Sequence, residues 1–177
     1  MTDKKRSKQL LITGKHVVYG VLLLLFYIMQ TTPRLFEIAG VKPVWVLPLA
    51  IAVAMHEGEF AGGVYGACAG LLCDIGGFSL FGFNGFIFCL AAVCAGLLII
   101  YMMQCNVAGC MLFVFAAMML RGSIGYMFAY GIWEYENAWR IFMLHTLPTA
   151  AYTTAAGIPL YYLLRAIFLK FEEGLER

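Results

Sequence analysis

Two charged side chains sit where a charge is hard to keep. Asp74 and Arg121 both fall inside long apolar runs of this 177-residue chain. In lipid, such a group is retained when it is paired, hydrated or functional. Asp74 closes a glycine-ribbed segment. It reads either as an interfacial residue capping the next segment, or as a buried carboxylate that holds the following turn or meets a partner. Arg121 falls near the middle of its run. It is expected to face the interior of a helix bundle and to pair with Asp74 or a nearby backbone carbonyl; a small aqueous cavity is the other way to keep it.

The remaining reactive side chains form no complete set. His56, Glu57 and Glu59 look at first like metal ligands. A zinc-protease helix needs HExxH, and the second His position is occupied by Phe60. The run therefore reads as a solvated cytoplasmic turn. The six cysteines, Cys68, Cys73, Cys89, Cys94, Cys105 and Cys110, contain no CxxC pair. Most lie in apolar runs, where free Cys behaves as a small hydrophobe, so neither disulfides nor a metal site are expected. Ser79, in Gly77-Phe78-Ser79-Leu80-Phe81, lacks the second glycine of a nucleophile elbow. His16 and His145 have no evident nucleophile beside them. No catalytic residue and no cofactor is expected, and an intramembrane enzyme is the weakest reading.

The elements that must position Asp74 and Arg121 follow from hydropathy. Hydrophobic residues make up 63% of the chain and charged residues 12%, against about half and a quarter in soluble domains. The mean hydropathy is +0.85. No basic stripe with interleaved aromatics occurs, which excludes nucleic acid as a partner. A transmembrane helix takes about 20 residues. Six spans are expected, at about 16–32, 41–56, 60–75, 80–103, 107–133 and 141–168. They form a single polytopic domain over 1–177, an all-α integral membrane bundle. Span three is short and is expected to be buried or to thin the bilayer, and Pro48 is expected to kink span two. The N-terminal run begins like a signal peptide but lacks a small-x-small cleavage site, so it reads as an uncleaved first span.

Lysine and arginine orient this plan. With the N-terminus inside, the cytoplasmic side receives Lys4, Lys5, Arg6, Lys8, Lys15, Arg165, Lys170 and Arg177, and the outer side receives Arg34, Lys42 and Arg140. This is the positive-inside asymmetry, and it places both termini in the cytoplasm. Trp45, Trp133, Tyr135 and Trp139 then mark the outer boundary, and 134–137 is an outer aqueous loop.

Gly62, Gly66 and Gly70 recur every fourth residue and so share one side of span three, with Asp74 continuing the row. Small residues at this spacing admit a second helix backbone. Ala95-Gly96 and Ala155-Ala156-Gly157 are further small-residue contact patches.

The array Gly66-x-x-x-Gly70-Leu71-Leu72-x-Asp74, followed by Gly82 and the apolar run after Gly85, resembles the MreD family of rod shape-determining membrane proteins. The resemblance implies a non-enzymatic scaffold in the bacterial cytoplasmic membrane. Its partners would be a bitopic MreC-like protein and an elongation complex with MreB, RodA and a class B penicillin-binding protein, which organises lateral peptidoglycan synthesis. It also implies a fold similar to the substrate-binding subunits of energy-coupling-factor vitamin transporters, which supply the competing functional reading. The residues expected to matter for structure or interaction are Gly62, Gly66, Gly70, Asp74, Gly82 and Arg121.

Overall fold

Apolar runs punctuated by Gly, Pro and short polar turns fold here as helices. The computed structural model describes residues 2–38, 40–76, 81–101, 105–127 and 142–176. The expected 134–137 loop, Trp133, Trp139, Arg140 and Ser79 lie outside these residues. Six α-helices are described: α1 Thr2–Thr31, α2 Val46–Glu57, α3 Glu59–Gly76, α4 Phe83–Tyr101, α5 Val107–Tyr126 and α6 Leu147–Glu176. A π-helical turn, Phe142–Thr146, leads into α6. Among the described residues there is no strand, only an isolated bridge between Ile38 and Val41.

Three of these helices are long and apolar enough to cross a membrane: α1 from Lys8, α4 and α5. Large apolar side chains such as Phe60, Ile75, Phe86, Leu112 and Ile28 are exposed on the outside of the helices. So broad an apolar surface would be an aggregation liability in water; in lipid it costs nothing.

The hub is α2, and here the sequence reading needs correction. Of the two expectations for span three, burial or a thinned bilayer, burial is not met, because α3 exposes Phe60, Val64 and Ile75. It is α2 that is buried continuously, from Val46 to Met55. Its 12 residues span about 18 Å at 1.5 Å per residue, short of the roughly 30 Å hydrocarbon core. A helix that is apolar on every side belongs inside a bundle. Pro48 is the third residue of α2, so the kink expected there has no cause: its missing N–H is one of the first four, which have no intrahelical acceptor. Pro159, by contrast, lies inside α6. Thr153 of α6, fully buried, accepts from the Val44 N–H at 3.0 Å and fixes the entry to α2.

The most extensive interhelical interface joins α3 to α4. A Cβ built on Gly66 would stand 2.6 Å from the Phe88 carbonyl oxygen, and one on Gly70 would stand 2.5 Å from Gly85 Cα and closer still to the Asn84 carbonyl. Gly62 turns instead to α2, where a Cβ would meet Ala54 Cα at 2.6 Å. From the opposite side, Gly96 of α4 lies against the backbone of Glu59, at 2.7 Å by the same measure. Gly157 of α6 packs on Pro48 and Met111. The glycine row thus serves two neighbours, α2 at its start and α4 along the rest.

The last helix runs on through the charged tail to Glu176, past the expected end of span six. There it meets the first helix: Gly14 faces Phe171, and Gly174 faces Leu11. The basic start of α1 and the end of α6 therefore occupy the same end of the bundle.

Candidate functional site

The C-terminal end of α3 delivers Asp74 to the start of α4. Asp74 is 4% exposed, and its carboxylate accepts from three backbone N–H groups and one side-chain amide at the start of the next helix. Oδ2 takes the N–H of Gly82 at 2.9 Å and of Gly85 at 3.2 Å. Oδ1 takes the Asn84 N–H at 3.2 Å and the Asn84 side-chain amide at 2.7 Å. Asn84 and Gly85 belong to the first turn of α4 and Gly82 immediately precedes it; N–H groups at a helix start lack intrahelical partners, and the helix dipole favours a negative charge there. Asp74 is therefore a cap supplied from another helix, and it also holds the turn between them. Gly82, just before α4, has φ +92°. Only glycine adopts that conformation without strain, and it is what turns the Gly82 N–H back onto Asp74.

Arg121 reaches the same cluster by an indirect route. Its Nε donates to the Asn84 side-chain oxygen, and its guanidinium lies 5.9 Å from the centre of the Phe88 ring. Asn84, 2% exposed, thus stands between the two charges, receiving from Arg121 and donating to Asp74. The direct ion pair or backbone contact expected for Arg121 is replaced by this relay. Arg121 lies in the second half of α5, at the level of the end of α3. In the sequence Asn84 stands out only as one of several polar residues of the outer region, at the start of an apolar run.

A second polar cluster occupies the opposite end of the bundle. Lys15 Nζ and Glu57 Oε2 are 2.6 Å apart, with side chains 8% and 11% exposed. Tyr19 donates to Glu57 Oε1 at 3.0 Å. Tyr65 donates to the His16 carbonyl at 3.0 Å, and its hydroxyl lies 3.2 Å from His16 Nδ1. The Lys15 ammonium also lies 5.2 Å from the centre of the Phe168 ring. The expectation of a solvated turn at His56, Glu57 and Glu59 is corrected here: Glu57 is an interior ion-pair partner, and His56 packs on Tyr161 and Phe168, at ring-centre distances of 5.5 and 5.0 Å. Composition hid this, because Lys15 reads as the last residue of a solvated basic run. A buried pair need not add net stability, but losing one partner is costly. Lys15→Met and Glu57→Gln should each destabilise the protein by about 3–5 kcal/mol, with a double variant less damaged than the sum. Additive losses in thermal or denaturant unfolding would deny the coupling.

All six cysteines are free. Among the described residues, no group of three or more His, Cys, Asp or Glu side chains could hold a metal ion. The arrangement as a whole ties helices together at both ends of the bundle through buried polar groups.

Comparison with known proteins decides the family. The family model described as rod shape-determining protein MreD matches residues 12–171. The chain belongs to the MreD family. That match runs from within α1 to within the last turns of α6 and contains both polar clusters. This MreD-family chain is accordingly a membrane protein connected with rod-shape determination. No curated protein and no solved structure matches it, so the likeness to vitamin-transporter subunits drawn from the sequence has no support from a structural relative.

Proposed function

We propose that this MreD-family protein is a non-catalytic scaffold of the cell-elongation machinery. Its helical bundle lies in the cytoplasmic membrane as a multi-pass domain, with α2 enclosed inside it and both termini in the cytoplasm. It holds an MreC-like bitopic protein and, through it, helps organise lateral peptidoglycan synthesis with MreB, RodA and a class B penicillin-binding protein. The observation that carries this reading is the family match over nearly the whole chain. The adjacency of the first and last helices at their charged ends supports a shared side for the termini. Partner helices in lipid associate through close packing, since lipid supplies no hydrophobic drive between them.

Copurification tests the proposal. The tagged chain, extracted in mild detergent, is expected to retain an MreC-like partner, and its depletion from a rod-shaped host should give round, widened cells. Saturable vitamin binding by the isolated chain, with recruitment of an energising ATPase and no association with MreC, would sink the scaffold assignment.

A further inference from the structure

Beside the Asp74–Asn84–Arg121 relay lies a cleft of about 490 Å³, lined by Tyr27, Gln30, Thr31, Val44, Cys73 and Arg121. That volume is in the range of small-molecule sites, roughly 300–1,000 Å³. Four separate segments build it: the end of α1, the approach to α2, the end of α3 and the last turns of α5. In the proposed topology all four lie at the outer membrane interface.

Two polar groups on its wall have unmet needs of opposite kind. Arg121 spends its Nε on Asn84. Among the described residues its two terminal nitrogens meet no acceptor, and Asp74 is already occupied by the α4 backbone and by Asn84. Across the cleft, Gln30 donates through Nε2 to Cys73 Sγ at 3.1 Å. Its Oε1 is buried with no partner. A buried polar atom left in that state carries the full cost of its desolvation. A planar guanidinium edge favours the paired oxygens of a phosphate or carboxylate, whereas an amide oxygen requires a donor. One occupant meets both needs when it carries an anion and a hydroxyl a few ångströms apart. A water molecule satisfies Gln30 but offers the guanidinium fork a single oxygen in place of a pair.

We propose that this cleft binds a phosphate ester bearing a free hydroxyl, and that in the membrane its occupant is the phosphoglycerol headgroup of an anionic lipid. The phosphate rests on the terminal nitrogens of Arg121, and the glycerol hydroxyl donates to Gln30 Oε1. Acyl chains leave between the exposed apolar faces of the surrounding helices. The site does not depend on any protein partner.

Binding to the purified full chain in neutral detergent tests this, with short-chain phosphatidylglycerol, phosphatidic acid, phosphatidylcholine and free glycerol phosphate as probes. Phosphatidylglycerol is expected to bind at least about tenfold more tightly than phosphatidylcholine, the scale of a charge-assisted hydrogen bond. Gln30→Met leaves every bond of the Asp74–Asn84–Arg121 relay in place, so it reports on binding apart from that cluster. It should lower phosphatidylglycerol affinity by about tenfold and leave phosphatidic acid, which lacks the glycerol hydroxyl, unchanged. Arg121→Lys, which keeps the charge but loses the fork, should weaken both anionic lipids. Free glycerol phosphate binding as tightly as the lipid would support the site and name a soluble ester as its occupant; binding of the lipid alone supports the headgroup. Equal affinity for phosphatidylglycerol and phosphatidylcholine, or an unaltered lipid preference in Gln30→Met, would overturn the proposal.

Discussion

Replacing Gly70 with leucine is expected to collapse the α3–α4 pair. Even one added carbon there would press on the Asn84 carbonyl and on Gly85 Cα, 2.5 Å away. These are backbone atoms of a neighbouring helix, so no rotamer change relieves the contact. Overpacking of this kind costs about 1–3 kcal/mol in well-packed interiors, occasionally more, and leucine adds three further carbons. The same separation of the helices would pull Asp74 off the first turn of α4, because Gly70 lies one helical turn before it. Gly66→Leu should act in the same direction, through the Phe88 carbonyl at 2.6 Å. Gly20→Ala supplies the control. Nothing lies within 4 Å of a Cβ at Gly20, so relief of glycine's poor helix propensity, about 0.5–1 kcal/mol, should dominate and leave the fold intact or slightly stabilised. The readout is folded yield and unfolding temperature in detergent. Wild-type accumulation of the Gly66→Leu, Gly70→Leu double variant would show that this stripe tolerates separation.

Removing the Asp74 carboxylate should be comparably damaging. Asp74→Ala orphans the N–H groups of Gly82, Asn84 and Gly85 and the Asn84 side-chain amide together. Each buried donor left unpaired costs about 1–3 kcal/mol. Partial relaxation and water entry bring the expected total to roughly the 3–5 kcal/mol seen when one member of a buried charged pair is removed. Asp74→Asn should be milder, since it keeps one accepting oxygen and loses only the second acceptor and the charge that the helix dipole favours. Arg121→Gln should depend on Asp74 even though the two do not touch, because Asn84 can donate to one only while oriented to accept from the other. A double-mutant cycle on Asp74→Asn and Arg121→Gln is therefore expected to show coupling above about 0.5 kcal/mol. The coupling should vanish in an Asn84→Leu background. Coupling that survives without Asn84 would mean that the charges act on each other directly.

Several features of this protein are set by amino-acid order alone. The long apolar runs can be satisfied only by helices in lipid, because a backbone there must bond internally. The run boundaries therefore locate six helices to within a few residues for α3 and α4, while leaving α2 several residues shorter than its run. The MreD resemblance is drawn from the Gly66, Gly70, Asp74 and Gly82 array, and the match over residues 12–171 bears it out.

What hydropathy could not reveal was which helix lies at the centre and which polar group meets which. Hydropathy measures what a side chain costs in lipid, and interior and lipid-facing positions both score as apolar. Thus α2, apolar on every side, looked like any other span until its neighbours enclosed it. Partner choice depends on the placement of helices far apart in sequence. Asn84 became the link between Asp74 and Arg121 only because α5 lies beside the start of α4. Lys15 and Glu57, both read as solvated residues, became a buried pair when α1 packed along α2 and α6. Composition and spacing thus determined the solvent, the helices and the family, whereas the tertiary packing decided the hub, the relay and the cleft. A local pattern records what one segment needs, and only its neighbours in space decide what satisfies it.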